Sequence, residues 1–177
     1  MVGAMALIEP NKVRLQLSLY LSPSQSAAVE ALRAVLDPVQ HRLIPAHVTL
    51  CREDELAALD LAALGAKFAD ADLPPLTLHF GRPEAFHEHG ILLPCIDGEA
   101  DFHQRRERIL ATSPVRHQAA HITLAHPRNP KAAGNHLDRA LQLPQELCFT
   151  FTSVCLIRQQ GASPWQVLET FAWAAPR

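Results

Sequence analysis

The sequence predicts an α+β fold of two similar lobes related by a pseudo-twofold axis, and three observations carry that expectation. The motif His-x-Thr-Leu occurs at His47–Leu50 and again at His121–Leu124, 74 residues further along, from position 47 to position 121. Each copy sits in an apolar strand that follows a helix. The chain of 177 residues is 48% apolar, enough for a packed interior in one domain, 1–177, built of two lobes. Two copies make a duplication; a solenoid needs more.

The elements follow in order. Val13 to Leu21 alternates, with Val13, Leu15, Leu17, Leu19 and Leu21 on one face and Arg14, Gln16, Ser18 and Tyr20 on the other, the pattern of a strand with one buried face. A helix follows, capped by Ser22 or Ser24, with Ala28, Leu32 and Leu36 on its apolar side and Pro38 at its end. PAHVTLC is a strand, and REDELAALDLAALGAKFAD reads as one helix with acids in its first turn, where they suit the helix dipole. Pro74 and Pro75 precede the strand LTLHFG. AFHEHGILLPCI reads as a strand or hairpin turning near His89-Gly90, and Asp97-Gly98 leads into the helix EADFHQRRERILAT. HQAAHITLAHP is a strand and a short helix lies near Lys131 to Leu141. LCFTFTSVCLIRQQ and PWQVLETFAWAA close the chain as two strands around Gly161.

Composition limits the function. A net charge of −2 argues against wrapping long duplex nucleic acid, which takes many cationic phosphate contacts, but leaves room for a nucleotide or an RNA end. Cys51, Cys95, Cys148 and Cys155 form no CxxC pair. The N-terminal MVGAMALI lacks a cationic start, Pro10 follows it, and no apolar run is long enough to span a bilayer. A reduced, cytoplasmic protein with no membrane partner is expected; its oligomeric state is open.

The two motifs carry chemistry. Residues i and i+2 of a strand share a face, so His47 points with Thr49 and His121 with Thr123. Two such strands facing across a cleft present two imidazoles and two hydroxyls to one small volume. In-line displacement at phosphorus needs a base on the attacking oxygen and an acid on the leaving one. Imidazole serves as either near neutral pH. Threonine hydroxyls can donate to the non-bridging oxygens. Neither a metal nor another cofactor is required.

Paired HxTL motifs in a chain of this size resemble the 2H phosphoesterase superfamily, which includes the bacterial 2′-5′ RNA ligase-like proteins and RNA 2′,3′-cyclic phosphodiesterases. The resemblance implies a bilobal fold of two mainly antiparallel sheets flanked by helices, with the motif strands facing across a central cleft. It implies catalytic roles for His47 and His121 and phosphate contacts for Thr49 and Thr123. The expected partner is an RNA end or small nucleotide with a 2′,3′-cyclic phosphate or a 2′-5′ link; the same site run backwards is a ligase. Many relatives carry a basic or aromatic residue just beyond the motif, where this chain has Cys51-Arg52 after the first and Ala125-His126 after the second, with Arg128 nearby.

A first strand beside the motif strands would bring Gln16, Ser18 and Tyr20 to the substrate. Tyr20 or Trp165 could stack on a base, and Arg128 or Arg158 could pair with a phosphate. Ordinary packing competes for both aromatics, and solvation for both arginines. Two rival readings stand beside the phosphodiesterase. One is a nucleotide- or RNA-binding module without turnover. The other is a zinc hydrolase using His87 and His89 with Cys95 or His103. Cys51, on the face of His47 and Thr49, is a further conceivable nucleophile. No GxSxG, GxGxxG or Walker motif is present.

Overall fold

The computed structural model describes residues 12–71, 73–111 and 115–174. The stretch MVGAMALI, Thr112 at the expected end of a helix and Ala175 at the expected end of the last strand lie outside them. In chain order the elements are β1 (Val13–Tyr20), α1 (Pro23–Leu36), α2 (Pro38–Leu43), β2 (His47–Cys51), α3 (Glu53–Leu56), a 3₁₀ turn (Leu61–Ala63) and α4 (Leu64–Ala71). There follow β3 (Leu76–Phe80), β4 (Glu84–Phe86), β5 (Gly90–Asp97), α5 (Glu99–Leu110), β6 (His121–Ala125), α6 (Leu137–Ala140), β7 (Leu147–Phe151), β8 (Ser153–Gln160) and β9 (Gln166–Ala172).

The nine strands pair antiparallel in the order β7-β3-β5-β6-β2-β1-β8-β9, with β4 added to β5. Four strands of that order lie on each side of the β2–β6 seam, so the two expected sheets meet edge to edge, at Val48 opposite Ile122. Only Thr152 separates β7 from β8, yet they lie towards opposite ends of the order, so the sheet curls back on itself. The single strand expected over 147–160 is thus two strands, one in each half.

Alternation places the core. Leu17, Leu19, Val48, Leu50, Leu93, Ile122 and Leu124 are fully or almost fully buried on one face, against Val29 and Leu36 of α1, Phe68 of α4, and Phe102 and Ile109 of α5. Phe68 stacks on Phe171 at 4.7 Å and meets Trp173 edge-on at 5.4 Å. The expected helix over 52–70 breaks in three. Asp60 turns its carboxylate to the Ala62 N–H and starts a new turn, and the apolar stripe restarts at Leu64 and Phe68. Pro38 ends α1 as expected but also opens α2, whose N-cap is Asp37. The Asp37 carboxylate accepts from Gln40 N–H on one oxygen, and from His126 N–H and Asn129 Nδ2 on the other, each at 2.9 Å. It thereby ties the loop after β6 to the α1–α2 junction. Gly98, at φ +89°, sets the start of α5; a Cβ there would lie 2.4 Å from the Thr77 carbonyl oxygen.

Candidate active site

The seam between the two halves brings the motifs together. Val48 and Ile122 oppose each other and both point into the core. In an antiparallel pair this sets His47 across from Thr123 and Thr49 across from His121, with all four on the opposite face. Each of the four is half-buried.

Both rings are oriented alike. His47 Nδ1 lies 2.8 Å from the Pro45 carbonyl, and His121 Nδ1 lies 2.9 Å from the Ala119 carbonyl. A carbonyl only accepts, so each Nδ1 carries hydrogen and donates it. The neutral ring then has its lone pair on Nε2, and the cationic ring has its acidic proton there. Burial lowers the His47 pKa to about 4; the Pro45 hydrogen bond opposes this, and the charges of Arg33, His121 and His126 add to it.

The peptide just before each histidine is also anchored alike. Leu21 N–H donates to the Ala46 carbonyl at 3.2 Å, and Cys95 N–H to the Ala120 carbonyl at 3.0 Å. The N–H groups of the same two alanines donate to carboxylates, Ala46 to Glu30 of α1 and Ala120 to Glu99 of α5. Arg33, almost fully buried, binds Glu30 at 2.7 Å and the Ile44 carbonyl at 2.9 Å.

The candidates from the first strand share the face of the motif side chains. Gln16 Nε2 donates to Ser18 Oγ at 2.6 Å and to Thr49 Oγ1 at 2.9 Å. The Thr49 oxygen is thus an acceptor from protein, which leaves its O–H to point elsewhere. Tyr20 meets His47 edge-on at 6.1 Å and packs with Ile44, Cys155, Ile157 and Trp165 as a small second cluster. Burial, and secondarily the Cys155 charge, raise the Tyr20 pKa above the usual range for tyrosine. Arg14 lies 5.4 Å from the centre of the Trp165 ring and binds Gln159. Arg158 does not join this group: it pairs with Leu15, on the other face, and holds Gln166 at 3.2 Å. Arg128 is exposed, and its backbone N–H donates to His126 Nδ1 at 3.1 Å. His126 is lowered in pKa by burial, then by Arg128; Asp37 opposes this, and Arg14 and His121 add to the lowering.

Two other sequence readings are corrected by geometry. A bulge between Leu17 and Ser18 sets Cys51 opposite Leu17, inside the main core, where burial raises its thiol to about 12. It therefore faces away from His47 and Thr49 and is a poor nucleophile. The segment His87-Glu88-His89 is a hairpin turn with His87 and Glu88 at positive φ, and His89 Nε2 donates to the Asn129 carbonyl at 2.8 Å. Among the described residues no three His, Cys, Asp or Glu side chains group so that they could hold a metal ion.

Sequence patterning missed Arg14, Arg33, Glu30, Glu99 and Gln118, whose Nε2 donates to the Thr49 carbonyl at 2.9 Å. One signal for the carboxylates was present: a small alanine precedes each histidine, leaving room for a side chain to reach the backbone.

A family model described as the 2′-5′ RNA ligase superfamily matches residues 21–163, a span that includes both motif strands. No curated protein sequence matches. Among solved structures, TT0787 of Thermus thermophilus is 16% identical, with 93% of this chain and 100% of that chain covered and a TM-score of 0.58. LigT of E. coli complexed with NADP+ is 18% identical over 93% of this chain and 98% of that chain, with a TM-score of 0.59. The same protein complexed with 3′-AMP is 16% identical over 94% and 99%, with a TM-score of 0.55. At these identities the likeness is one of fold.

Proposed function

The chain belongs to the 2′-5′ RNA ligase superfamily, and on that premise we propose that it is a metal-independent phosphodiesterase acting on a 2′,3′-cyclic phosphate or a 2′-5′ link at an RNA end or nucleotide. The observation that carries the reading is the matched pair of imidazoles. Both come from one sheet face beside the seam, both give Nδ1–H to a carbonyl, and both leave Nε2 for proton transfer. The complexes of E. coli LigT with ATP, NADP+ and 3′-AMP support a nucleotide as the ligand class.

In the hydrolytic direction one Nε2 takes a proton from water as its oxygen bonds to phosphorus. The other gives a proton to the ribose oxygen as the P–O bond breaks. Thr49 and Thr123 donate to the non-bridging oxygens, where negative charge is held. Ring strain in a cyclic phosphate favours opening, and each proton transfer contributes roughly 10²–10⁴-fold. A ribose hydroxyl in place of water gives the ligase direction from the same groups.

The test is hydrolysis of nucleoside 2′,3′-cyclic phosphates and linear 2′-5′ dinucleotides with a chelator present throughout. Turnover that survives chelation supports the proposal. Binding of nucleotides without turnover of any of them leaves a binding module, and activity lost on chelation sinks the metal-free mechanism.

A pH dependence follows from His47. With its folded pKa at about 4 it is neutral at pH 7. An anion beside the ring favours the cation, so binding takes up protons and tightens as pH falls from 7 towards 5. The limit is about tenfold per pH unit per proton. Calorimetry with adenosine 3′-sulfate, whose charge is constant in this range, checks it, and His47→Gln is expected to flatten the trend. Affinity independent of pH in the unaltered protein would put the anion away from His47.

A further inference from the structure

One hydrogen-bonded chain stands behind each motif histidine. Its middle link is a single peptide group, Pro45–Ala46 in one half and Ala119–Ala120 in the other. The C=O end of each peptide accepts Nδ1–H from the histidine, at 2.8 Å for His47 and 2.9 Å for His121. The N–H end donates to a glutamate, Glu30 in the first case and Glu99, at 2.9 Å, in the second. A trans peptide points its two ends in opposite directions, so a carboxylate on the helix side and an imidazole on the other face can both reach it.

We propose that Glu30 and Glu99 are positioning residues that act on His47 and His121 through that intervening peptide. A carboxylate on the N–H end polarises the group and makes its carbonyl a stronger acceptor. The stronger acceptor holds the ring in one tautomer, with Nε2 free, and favours the imidazolium that forms during proton transfer. Many histidines receive this service from a carboxylate directly; here a backbone unit lies between. The arrangement occurs twice, built from a different helix and strand in each half, which argues against an accident of packing. Each also has a reason in the fold. Only one bond of the terminal strand pair is made between backbones, Leu21 to Ala46 and Cys95 to Ala120, and the carboxylate takes the N–H left over.

Other charges share these surroundings. Glu30 also holds Arg33 at 2.7 Å and lies 3.6 Å from His41, while Glu99 lies within charge range of His103 and Cys95. Glu99 is therefore the cleaner site to alter, because removing Glu30 would also strip a buried arginine of its partner.

The inference rests on the proposed phosphodiesterase activity for its kinetic readout but not for its spectroscopic one. In the free protein, ¹⁵N spectra of the His121 ring should show the Nδ1–H form; Glu99→Ala should mix in the Nε2–H form, and Glu99→Gln should largely restore it. On a nucleoside 2′,3′-cyclic phosphate, Glu99→Ala should lower kcat by about 10–100-fold with KM within about threefold. Glu99→Gln, which keeps an acceptor but not the charge, should fall between, at about three- to tenfold. A folded Glu99→Ala variant with the original ring signature and kcat overturns the inference. If that variant does not fold, Glu99→Gln decides it: an unaltered kcat overturns it and a several-fold loss supports it. An unaltered protein that turns over none of the substrates refutes the activity alone, and the ring signatures of the Glu99 variants then decide the relay.

Discussion

Replacing His47 or His121 by alanine is expected to lower turnover of a nucleoside 2′,3′-cyclic phosphate by about 10²–10⁴-fold each, with the double variant falling little further. The near-equality of the two losses is the informative part. Each ring sits in the same cradle, with Nδ1 on the carbonyl two residues back and the preceding N–H on a glutamate. Each faces a threonine across the seam. If the rings act as a pair on one phosphorus atom, removing either stalls the same step, so the losses do not multiply. Binding of a nucleotide, measured separately, should weaken far less than turnover. Single variants that hydrolyse the substrate undiminished would end the two-histidine mechanism. Losses that multiply fully in the double variant would mean that the rings act independently.

The largest loss of stability is expected from Arg106→Ala, at about 3–5 kcal/mol in urea unfolding. Arg106 lies on α5 and is fully buried. Its guanidinium pairs with Glu55, whose side chain is only 8% exposed. It also donates to the Leu50 carbonyl and, at 2.9 Å, to that of Arg116. The Phe102 ring lies 5.8 Å beneath it. Alanine would leave a buried carboxylate unpaired and two carbonyls short of a donor, which costs more than the pair itself contributes. The double change Arg106→Met with Glu55→Leu should recover most of the loss by replacing the pair with apolar volume. Equal unfolding midpoints for Arg106→Ala and the unaltered protein would show that water reaches this site. Leu50 follows Thr49 directly, so Arg106→Ala should also disturb the first motif before the protein unfolds.

What could be read beforehand was what local pattern encodes. The alternation of β1 and the doubled HxTL put the four motif side chains on predictable faces, and the register across Val48 and Ile122 united them. Local pattern failed where a single extra residue or a distant side chain decides. Cys51 is two residues beyond Thr49 and by simple alternation shares its face, but the bulge at Leu17/Ser18 turns it inward. Arg158 looks like a free cation in sequence, whereas its parity with Leu15 sends it to the opposite face. Glu30, Glu99, Gln118 and Arg106 reach backbone groups 16, 21, 69 and 56 residues away, and such bonds leave no periodic trace. The break at Thr152 was hidden because LCFTFTSVCLIRQQ has strand propensity throughout; only the sheet order shows that the chain changes sides there.

That crossing at Thr152 has a consequence during synthesis. A nascent chain that has just cleared the ribosome with both histidines in hand still lacks β8, the strand that covers the open edge of β1. The first half can therefore close only after β7 has been made, and pairings of long sequence separation, such as Val13 with Gln160, must wait for β8. Completion of the first half thus waits on β8, and an unprotected β1 edge is what the emerging protein exposes in the meantime.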